Sequence, residues 1–555
     1  LGTDMLTYNN YAKQILNGTF SSKEPYYYGP LYFYFLALIY KIFGIDPYFP
    51  RLIQMILGVF TTFLTYLIAK KVFNKPIGYI SLIISILYAM FYIHEGVLLM
   101  EALVTFLNTL SIFLLLRIED NPSYKNLAFA GISLGLSALA RTNILLFIPF
   151  LLPWMLINSK FKIQNSKFLR YGFLCLIVLL TISPATIRNY LASGKFVLVS
   201  TNGPVNLWIG NNPYAEGVFR YPPLSYRDKI EKMVKEQGDK VYIKEILRFI
   251  KKNPKGFFLL QLKKFLLFWD RYEIENNINY NFQKGFSYLF KFPLFLGFGP
   301  ISLLAICGLF LSLRGWKKLF LLYLFIITFM LSFIPFFITA RHRISGVPLL
   351  IIFTGFSILW LYEKIKNKNY KSLFLSLILL FFSFLLAYSQ TISSRLCHLI
   401  HQEGLHIAPP EGILIRDTTN DRHRGKSFEM RSVGDIIKKE LILKEKLSKF
   451  KKAVLQLILS IGNNAGTLTI EVNNKIEFPV VFSYSQGLLD LYRIELNLDC
   501  LNEGLNTIVL KSTGRMEINV AIDNFYFFGR SYVFKDGKWK KLKKGEFMIW
   551  LELVR

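Results

Sequence analysis

The chain contains a series of long apolar runs separated by short polar segments, and this series limits its fold more than any other feature. The runs cover residues 50–73, 77–95, 98–117, 126–141, 142–157, 169–187, 295–313, 319–339, 344–364 and 371–390. A helix of about 20 apolar residues is long enough to cross a bilayer. The fourth and fifth runs are shorter, and an alternative is that together they form one broken helical unit. With 53% hydrophobic residues and a mean hydropathy of +0.37, the chain is predicted to be a mainly helical, polytopic membrane protein.

The formal net charge of +30 is explained by membrane topology and not by nucleic-acid binding. The basic segments KKVFNK, NSKFKIQNSKFLR, LRGWKK and YEKIKNKNYK fall at alternate connections between the apolar runs. Lys and Arg in such short loops mark the cytoplasmic side of a membrane and also contact lipid phosphates. The other side is then extracytoplasmic, and it is predicted to hold Asp4, His94, Glu95, Glu101, Arg141, the loop from Arg188 to about residue 290, Arg341 and Arg343.

The pattern divides the chain into six parts. Residues 1–49 are predicted to be a first external loop with interfacial helices, and the start at Leu1 suggests a missing upstream membrane helix. Membrane helices follow at 50–187 and 295–390, on either side of an external region with amphipathic helices at 188–294. After a linker at 391–409, residues 410–555 alternate as in strands and are predicted to form an external β-sandwich. The alternation is clearest at Leu468, Ile470 and Val472, at Ile494, Leu496 and Leu498, and at Met516, Ile518 and Val520.

The stretch ISPATIRNYLASGKFVLVSTNGPVNLWIGNNPYAEG, residues 182–217, begins at the end of an apolar helix and continues as a loop rich in Gly, Asn and aromatic residues. A guanidinium suits a phosphate, amides suit sugar hydroxyls, and an indole suits a ring face. We interpret this stretch as a ligand loop. Turn formation by Asn-Gly and Asn-Pro, and an interfacial anchor role for the Trp, are the structural alternatives. The candidate residues are Arg188, Asn189, Tyr190, Asn202, Asn206, Trp208 and Asn211.

Several segments in order resemble the polyprenyl-phosphate-sugar glycosyltransferases of the GT-C fold, which include the dolichyl-phosphate-mannose protein mannosyltransferases and the lipid A aminoarabinose transferases. The resemblance covers roughly residues 1–365. It is carried by GTDMLTYNNYAKQILNG, GPLYFYFLALIYKIFG, PRLIQMILGVFTTFLTYLIAKKVF, HEGVLLMEALVTFL, GISLGLSALARTN, PATIRNYLASGKFVLVSTNGPVNLWIGNNPYAEG, FIKKNPKGFFLLQLKKFLLFW, YEIENN and ARHRISGVPLLII. In the C-terminal part, LNEGLNTIVLKS is similar to a strand of carbohydrate-binding jelly rolls.

The resemblance implies transfer of a sugar, with inversion, from an undecaprenyl or dolichyl phosphate to an extracytoplasmic protein, lipid or glycan acceptor. The family's acidic residue in the first external loop matches Asp4, which would be the base, and Glu95 and Glu101 are grouped with it as catalytic candidates. The leaving group is a phosphate, so cations are also needed. The candidates are Arg141, Arg188, Arg341 and Arg343. An obligatory metal is not expected, because one Asp supplies too few ligands unless Glu95 or Glu101 joins it.

Each candidate also has a structural interpretation. Asp4 is placed to cap a helix, Glu95 and Glu101 are placed to mark the ends of a tight turn, and His94 is expected to be an exposed neighbour. Arg341 and Arg343 are also at a span end, where arginines reach for lipid headgroups. Two other functions stay open: a transporter or flippase of lipid-linked sugars, and a non-catalytic glycan-binding subunit of an envelope assembly. The sequence has no visible internal repeat, which is a feature typical of transporters. It also lacks the Walker, HExxH, CxxC and GxGxxG motifs, which argues against a nucleotide-driven pump or a zinc hydrolase.

Overall fold

The computed structural model divides the chain into two compact units, Leu1–Ser389 and Gln390–Arg555. In the first unit the structure describes residues 3–20, 23–157, 164–222, 224–274, 276–277 and 295–389. In the second it describes residue 392 and residues 405–407, 412–416, 426–430, 436–443, 446–461, 466–482, 490–512, 518–523, 531–535, 538–542, 546–547 and 549–554. The first unit is helical and the second consists of strands, as the sequence predicts.

The first unit contains the helices expected from the apolar runs, together with further helices before and between those runs. They are α1 Thr3–Leu16, α2 Leu31–Phe43, α3 Tyr48–Val72, α4 Lys75–Leu87, α5 Ala89–Glu95, α6 Glu101–Asp120, α7 Tyr124–Ala140, α8 Leu151–Ile157, α9 Gln164–Ser193, α10 Gly203–Gly210, α11 Leu224–Gln237, α12 Lys240–Lys252, α13 Pro254–Trp269, α14 Phe298–Leu311, α15 Trp316–Phe333, α16 Ala340–Arg343, α17 Val347–Lys366 and α18 Tyr370–Ala387. A 3-10 segment, Thr142–Phe150, joins α7 to α8.

Six helical segments in the described part are long and apolar enough to cross a membrane, which supports the predicted polytopic membrane protein. The predicted fourth and fifth spans are separated by a break at Arg141, whose backbone is extended between α7 and the 3-10 segment. The predicted span 77–95 is divided into α4 and α5 at Tyr88. Helix α2 begins at Leu31, directly after the Gly29-Pro30 pair.

Helix α6 runs from one end of the helical bundle to the other. Its 20 residues correspond to a length of roughly 30 Å at 1.5 Å per residue. Glu101 lies at its first turn, and Asp120 at its last turn pairs with Lys71 of α3, 2.5 Å away. The basic KKVFNK segment therefore lies at the opposite end of α6 from Glu101, as expected if these two groups face different sides of a membrane.

The second unit consists of two antiparallel sheets around one apolar core, which confirms the predicted C-terminal β-structure. Its strands are β1 Leu405–Ile407, β2 Gly412–Arg416, β3 Lys426–Met430, β4 Ile436–Leu443, β5 Lys452–Ile461, β6 Gly466–Val472, β7 Ile476–Phe482, β8 Asp490–Leu496, β9 Gly504–Ser512, β10 Ile518–Asp523, β11 Ser531–Lys535, β12 Lys538–Lys541, β13 Glu546–Phe547 and β14 Ile549–Val554. One sheet has the order β12-β11-β4-β9-β6-β7. The other has the path β1-β2-β14-β5-β10-β13, with β3 paired to β10 and β8 paired to β5.

Alternation in the strands produces the core. In β4, Ile437 and Leu441 are buried between partly exposed neighbours, and Ile508 and Leu510 of the adjacent β9 are buried with them. This is the inward and outward alternation of a half-buried strand. Of the predicted strand residues, Leu498 lies instead in a short 3-10 turn after β8. Met516 lies outside the described residues.

Candidate active site

Four helix ends meet at one end of the bundle, and each contributes one charged side chain. Asp4 is in the first turn of α1, and Glu101 is in the first turn of α6. Arg141 follows the last residue of α7, and Arg341 lies in the short helix α16 just before α17. Carboxylates are favourable in the first turn of a helix, because the backbone N–H groups there are unpaired. Local sequence therefore explains the placement of the two acids, while the tertiary fold brings in the two arginines.

These four side chains form one connected network, which we call the charge cluster. Arg341 donates from Nη1 to Asp4 Oδ2, 2.6 Å away, and from Nε to Glu101 Oε1. Arg141 Nη2 donates to the same Glu101 oxygen at 2.7 Å, and its Nη1 reaches the backbone carbonyl of Arg341 at 3.4 Å. Two positive and two negative groups therefore balance. Such a balance is required at a site with little water, because an unpaired buried charge is expensive.

The two carboxylates of the charge cluster differ in access. The side chain of Glu101 is 0% exposed, whereas that of Asp4 is 21% exposed. Asp4 Oδ2 also accepts a bond from Asn277 Nδ2 at 2.6 Å, whereas the bond that Oδ1 accepts from the described residues is a long one, 3.3 Å from the Tyr28 hydroxyl. Asp4 therefore has an accessible and weakly bonded oxygen, while Glu101 is enclosed and serves to hold two guanidinium groups in place.

Tyr8 lies one helical turn after Asp4 and is completely buried beside the charge cluster. Burial raises the pKa of its phenol well above the usual value, so the hydroxyl stays protonated at neutral pH. Among the described residues that hydroxyl has no hydrogen-bond partner, and the same holds for Glu101 Oε2. Buried polar atoms without partners are uncommon in folded proteins, and they mark this region as a place for a ligand or for ordered water.

His94 and Glu95, expected to be external residues near the site, lie in α5 against the membrane helices. His94 is buried, which corrects the expectation of an exposed neighbour. The Glu95 side chain packs against Gly58 of α3, since a Cβ built on that glycine would lie 1.9 Å from Glu95 Oε1. Glu95 has no ion pair among the residues described, and it does not belong to the charge cluster.

Arg343, grouped with the donor-binding arginines by sequence, has a separate environment. Its Nη2 lies 3.0 Å from Glu273 Oε2, and its guanidinium donates to the backbone carbonyls of Phe268, Asp270 and Tyr272. The guanidinium also stacks on Phe298, 3.6 Å from the ring centre. These contacts fix the chain after α13 and leave Arg343 almost completely buried. Arg343 therefore pairs with a different carboxylate from Arg341, although only two positions separate them in sequence.

The start of the predicted ligand loop contacts the segment before α2. Arg188 Nη1 donates to the carbonyl of Glu24 at 2.7 Å, and its guanidinium lies 4.2 Å from the ring centre of Tyr26. Asn189 is buried and fully engaged, because it accepts from the Tyr26 amide and donates to the carbonyls of residues 197 and 199. Tyr190 is exposed. Asn189 is therefore placed as a structural residue, while Arg188 and Tyr190 lie near the surface.

The rest of the predicted loop folds as the short helix α10. Asn202 precedes it, Asn206 is partly exposed on it, and Trp208 is buried against Tyr226 and Tyr242. Asn211 follows it and donates to the carbonyls of Leu207 and Pro335. Trp208 and Asn211 hold this region together, so the structure does not place them in the charge cluster.

Helix α13, to which sequence analysis assigns no chemistry, carries a completely buried lysine. Lys264 Nζ donates to Asn211 Oδ1 at 2.9 Å and to Gln261 Oε1 at 3.3 Å. Both partners are uncharged, and burial lowers the pKa of Lys264 to about 7. This residue was missed because the KKNPKGFFLLQLKKFLLFW segment resembles an ordinary amphipathic helix.

Tyr8, Asn277 and His342 are further neighbours of the charge cluster that the sequence did not indicate. Tyr8 could have been found from its spacing of four from Asp4, which places both on one helix face. His342 is stacked on Phe333, with ring centres 4.9 Å apart, between the two arginines of the RHR sequence. Asn277 lies 273 positions from Asp4, so its contact could not be found from local pattern.

Comparisons with known proteins agree with the resemblance described from sequence motifs. Residues 23–187 match the family model described as dolichyl-phosphate-mannose-protein mannosyltransferase. This match covers less than a third of the chain, and it supports the GT-C superfamily. An uncharacterized protein of Aquifex aeolicus is 31% identical over 112 residues, which are 20% of this chain and 22% of that relative. The chain therefore aligns with only about a fifth of the curated relative.

The solved structures that resemble the chain at low identity include the following two. The structure of ArnT from Cupriavidus metallidurans bound to undecaprenyl phosphate is 12% identical, with a TM-score of 0.39 over 72% of this chain and 60% of that one. The structure of the archaeal oligosaccharyltransferase AglB from Archaeoglobus fulgidus, in complex with an inhibitory peptide and a dolichol-phosphate, is 14% identical. Its TM-score is 0.38 over 70% of this chain and 52% of that one. Neither likeness by itself assigns a function to the chain.

Proposed function

We propose that this protein is an integral membrane glycosyltransferase that moves a sugar from a polyprenyl phosphate to an acceptor hydroxyl outside the cytoplasm. The observation that carries the proposal is the charge cluster, in which an accessible carboxylate lies beside two guanidinium groups at one end of a bundle of membrane helices. The family match over residues 23–187 and the order of the sequence motifs support the same reaction class. The acceptor is a hydroxyl of a protein, a lipid or a glycan.

Asp4 is the proposed base. A general base needs hydrogen-bond reach to the proton it removes and an available lone pair. Asp4 Oδ1 meets both needs, because the hydrogen bond it accepts from the described residues is the long one of 3.3 Å from Tyr28 and the side chain is partly exposed. Glu101 is enclosed between two arginines and cannot reach an acceptor. The roles of the two carboxylates are therefore divided between proton transfer and positioning.

The proposed reaction is a single displacement. The acceptor oxygen forms a bond to the anomeric carbon, the bond from that carbon to the phosphate oxygen breaks, and its electron pair stays on the phosphate. The acceptor proton moves to Asp4 Oδ1. Attack from the side opposite the leaving phosphate inverts the anomeric configuration.

The charges in the cluster match this step. Before reaction the cluster is neutral, since Asp4 and Glu101 balance Arg141 and Arg341. Protonation of Asp4 leaves a net positive charge at the moment when the departing phosphate gains a negative one. An interaction that stabilises charge only as the charge develops lowers the energy of the transition state more than that of the bound substrate. It therefore lowers the reaction barrier. The cluster therefore favours the transition state over the donor at rest.

The two arginines retain the capacity to bind the donor phosphate. A guanidinium has five N–H donors, and within the described part of the chain Arg341 uses its Nε and one bond from Nη1. Arg141 likewise uses one bond from each of Nη1 and Nη2. Both side chains are only slightly exposed, so a phosphate held there would have little competition from water. Arg188, which lies nearer the surface, is proposed to guide the lipid phosphate toward the cluster.

The test is release of polyprenyl phosphate by the purified protein in nanodiscs, given a polyprenyl-phosphate-linked sugar and a hydroxyl acceptor. The Asp4→Asn protein should release at least 100-fold less while still binding the donor. Asp239→Asn is the matched control, because Asp239 precedes α12 without making a side-chain cap bond. Equal turnover by the Asp4→Asn protein would exclude this base. Movement of intact donor across the bilayer without release of polyprenyl phosphate would favour a transporter instead.

A further inference from the structure

The outer face of the six-stranded sheet in the second unit carries a groove of about 490 Å³. Strands β4, β9 and β6 contribute Lys438, Val509 and Glu471, which are neighbours in register across the sheet. The β11–β12 hairpin contributes Phe534 and Trp539, and we call this feature the Trp539 groove. Its volume falls in the range of small-molecule and cofactor sites, which is roughly 300 to 1,000 Å³. Most of the residues that line it lie on strands of this sheet.

The groove collects the exposed apolar side chains of the second unit. In the described strands and turns of that unit, four large hydrophobic side chains are exposed: Ile476, Leu505, Phe534 and Trp539. Three of them line the Trp539 groove. Trp539 is 39% exposed, and its ring lies 5.2 Å from that of Phe534 at an angle of 68°. Exposed aromatic rings gathered in one concave place indicate a binding surface.

The charged side chains that line the groove are paired with charges of opposite sign in it or next to it. Lys511 Nζ lies 2.7 Å from Glu471 and 3.1 Å from Glu477, and Lys438 Nζ lies 3.1 Å from Glu440. No arginine is among the groove residues that the structure describes. The groove therefore lacks the excess of positive charge, and the guanidinium forks, that a phosphate or a polyanion requires.

The groove has side chains that can hydrogen-bond to hydroxyl groups, and these lie beside an aromatic surface. Asn474 and Thr507 line it together with the paired Lys511 and Glu471. A sugar hydroxyl both donates and accepts hydrogen bonds, and amide, hydroxyl, ammonium and carboxylate groups supply the matching acceptors and donors. An indole presents a flat π-face to the C–H side of a pyranose ring. A ligand with one apolar ring face and many uncharged hydroxyls satisfies both halves of this lining.

We propose that the Trp539 groove is a binding site for a neutral glycan. A sugar ring stacks on the Trp539 indole, and its hydroxyls bond the side chains along β9 and β6. The proposal does not depend on the transfer reaction, because it involves none of the charge-cluster residues. It assigns the second unit a recognition role that is separate from the chemistry of the helical unit.

The test uses the full protein in nanodiscs and measures binding of mannotriose, cellotriose and chitotriose by titration calorimetry. At least one of these should bind, and Trp539→Ala should weaken that binding at least tenfold. Ile476→Ala is the matched control, because Ile476 is exposed outside the groove, and it should leave binding unchanged. The Asp4→Asn protein should bind the oligosaccharide as the unaltered protein does, which keeps this result distinct from the transferase test.

Three results would overturn the proposal: none of the three oligosaccharides binds, their binding is the same after Trp539→Ala, or only heparin or an extended peptide binds in a Trp539-dependent way. Unfolding temperatures measured for every variant show that the fold is intact. The indole projects from edge strand β12, whose residues are all exposed, so its removal should not unfold the sheet. Trp539→Phe provides a second variant, which should retain part of the affinity because a smaller ring face remains.

Discussion

Asp4 and Arg341 form an ion pair across 337 positions of sequence, with Asp4 Oδ2 2.6 Å from Arg341 Nη1. The same guanidinium contacts Glu101 through Nε, so one arginine links the partly exposed carboxylate to the buried one. This link holds the first turn of α1 against the first turn of α6. It also keeps a positive charge next to the proposed base, where negative charge would develop on a departing phosphate.

Replacement of Arg341 by Lys should reduce turnover at least 100-fold. A lysine keeps the charge but has a single ammonium group, which cannot reproduce the fork that contacts Asp4 and Glu101 together. Steady-state release of polyprenyl phosphate measures the effect. Arg117→Lys, an exposed change in α6 on the same end as Asp120, is the control. Unchanged turnover after Arg341→Lys would show that only charge, and not the geometry of the guanidinium, matters at this position.

Replacement of Glu101 by Gln should destabilise the protein more than replacement of Asp4 by Asn. Glu101 is enclosed, and loss of its charge leaves two buried guanidinium groups without their shared partner. Breaking a buried pair in this way costs roughly 3 to 5 kcal/mol. Denaturant unfolding in detergent micelles measures the change in the free energy of unfolding. The exposed Glu363→Gln should have little effect, and equal stability for Glu101→Gln and Asp4→Asn would contradict the division of roles.

Replacement of Gly29 by Ala should lower both stability and turnover. A Cβ at Gly29 would lie 2.3 Å from the carbonyl oxygen of Ala140 and 2.6 Å from that of Leu139, at the end of α7 that leads into Arg141. These are backbone atoms, so the chain itself must shift, and such overpacking costs roughly 1 to 3 kcal/mol. Thermal unfolding and polyprenyl phosphate release measure the two effects. Gly172→Ala is the control, because a Cβ there meets nothing within 4 Å.

Lys264 should make the stability of the protein depend on pH. Its folded-state pKa is lowered from 10.5 to about 7, so between these values the folded protein holds Lys264 neutral while the unfolded chain is protonated. The unfolded state then binds more protons, and this residue's contribution to stability rises with pH from 7 to 10.5. Below pH 7 the buried ammonium is charged in both states, and its destabilising effect is complete.

Lys264→Met should therefore raise the free energy of unfolding most below pH 7, and the difference from the unaltered protein should shrink as the pH rises toward 10.5. Denaturant unfolding at several pH values measures this difference. Lys255→Met, an exposed change in the same helix, should give no such trend. A difference that is constant with pH would mean that Lys264 is not neutral in the folded protein.

The apolar runs determined most of the helical architecture. Nine of the ten predicted spans correspond to helices or helical segments with similar limits, and the tenth, at 77–95, differs only by the bend at Tyr88. Alternation likewise identified the β-rich unit through β6, β8 and β10. These signals are local, because the burial of a helix or a strand face depends on the periodicity of neighbouring residues. Leu498 was misplaced because strand ends and turns are decided by a few residues.

The sequence also identified Asp4, Glu101, Arg141 and Arg341 as candidates, from ionisable groups near span ends and from the order of motifs. It could not separate them from Glu95, Arg343, Asn189 and Trp208, which have the same chemistry or a neighbouring position. Arg341 and Arg343 show the reason most clearly: two positions apart, one contacts Asp4 and the other Glu273. The direction of each side chain depends on which distant helix lies beside it.

By itself, then, the sequence determined a membrane bundle followed by a unit of strands, with charged residues gathered at one end of the helices. Only the tertiary structure decided which carboxylate is accessible, which arginines share Glu101, and that the β11–β12 hairpin lies beside β4 at a groove. The physical reason is that periodicity and hydrophobicity act between residues near in sequence. Contacts such as Asp4–Arg341 instead depend on packing among elements hundreds of residues apart.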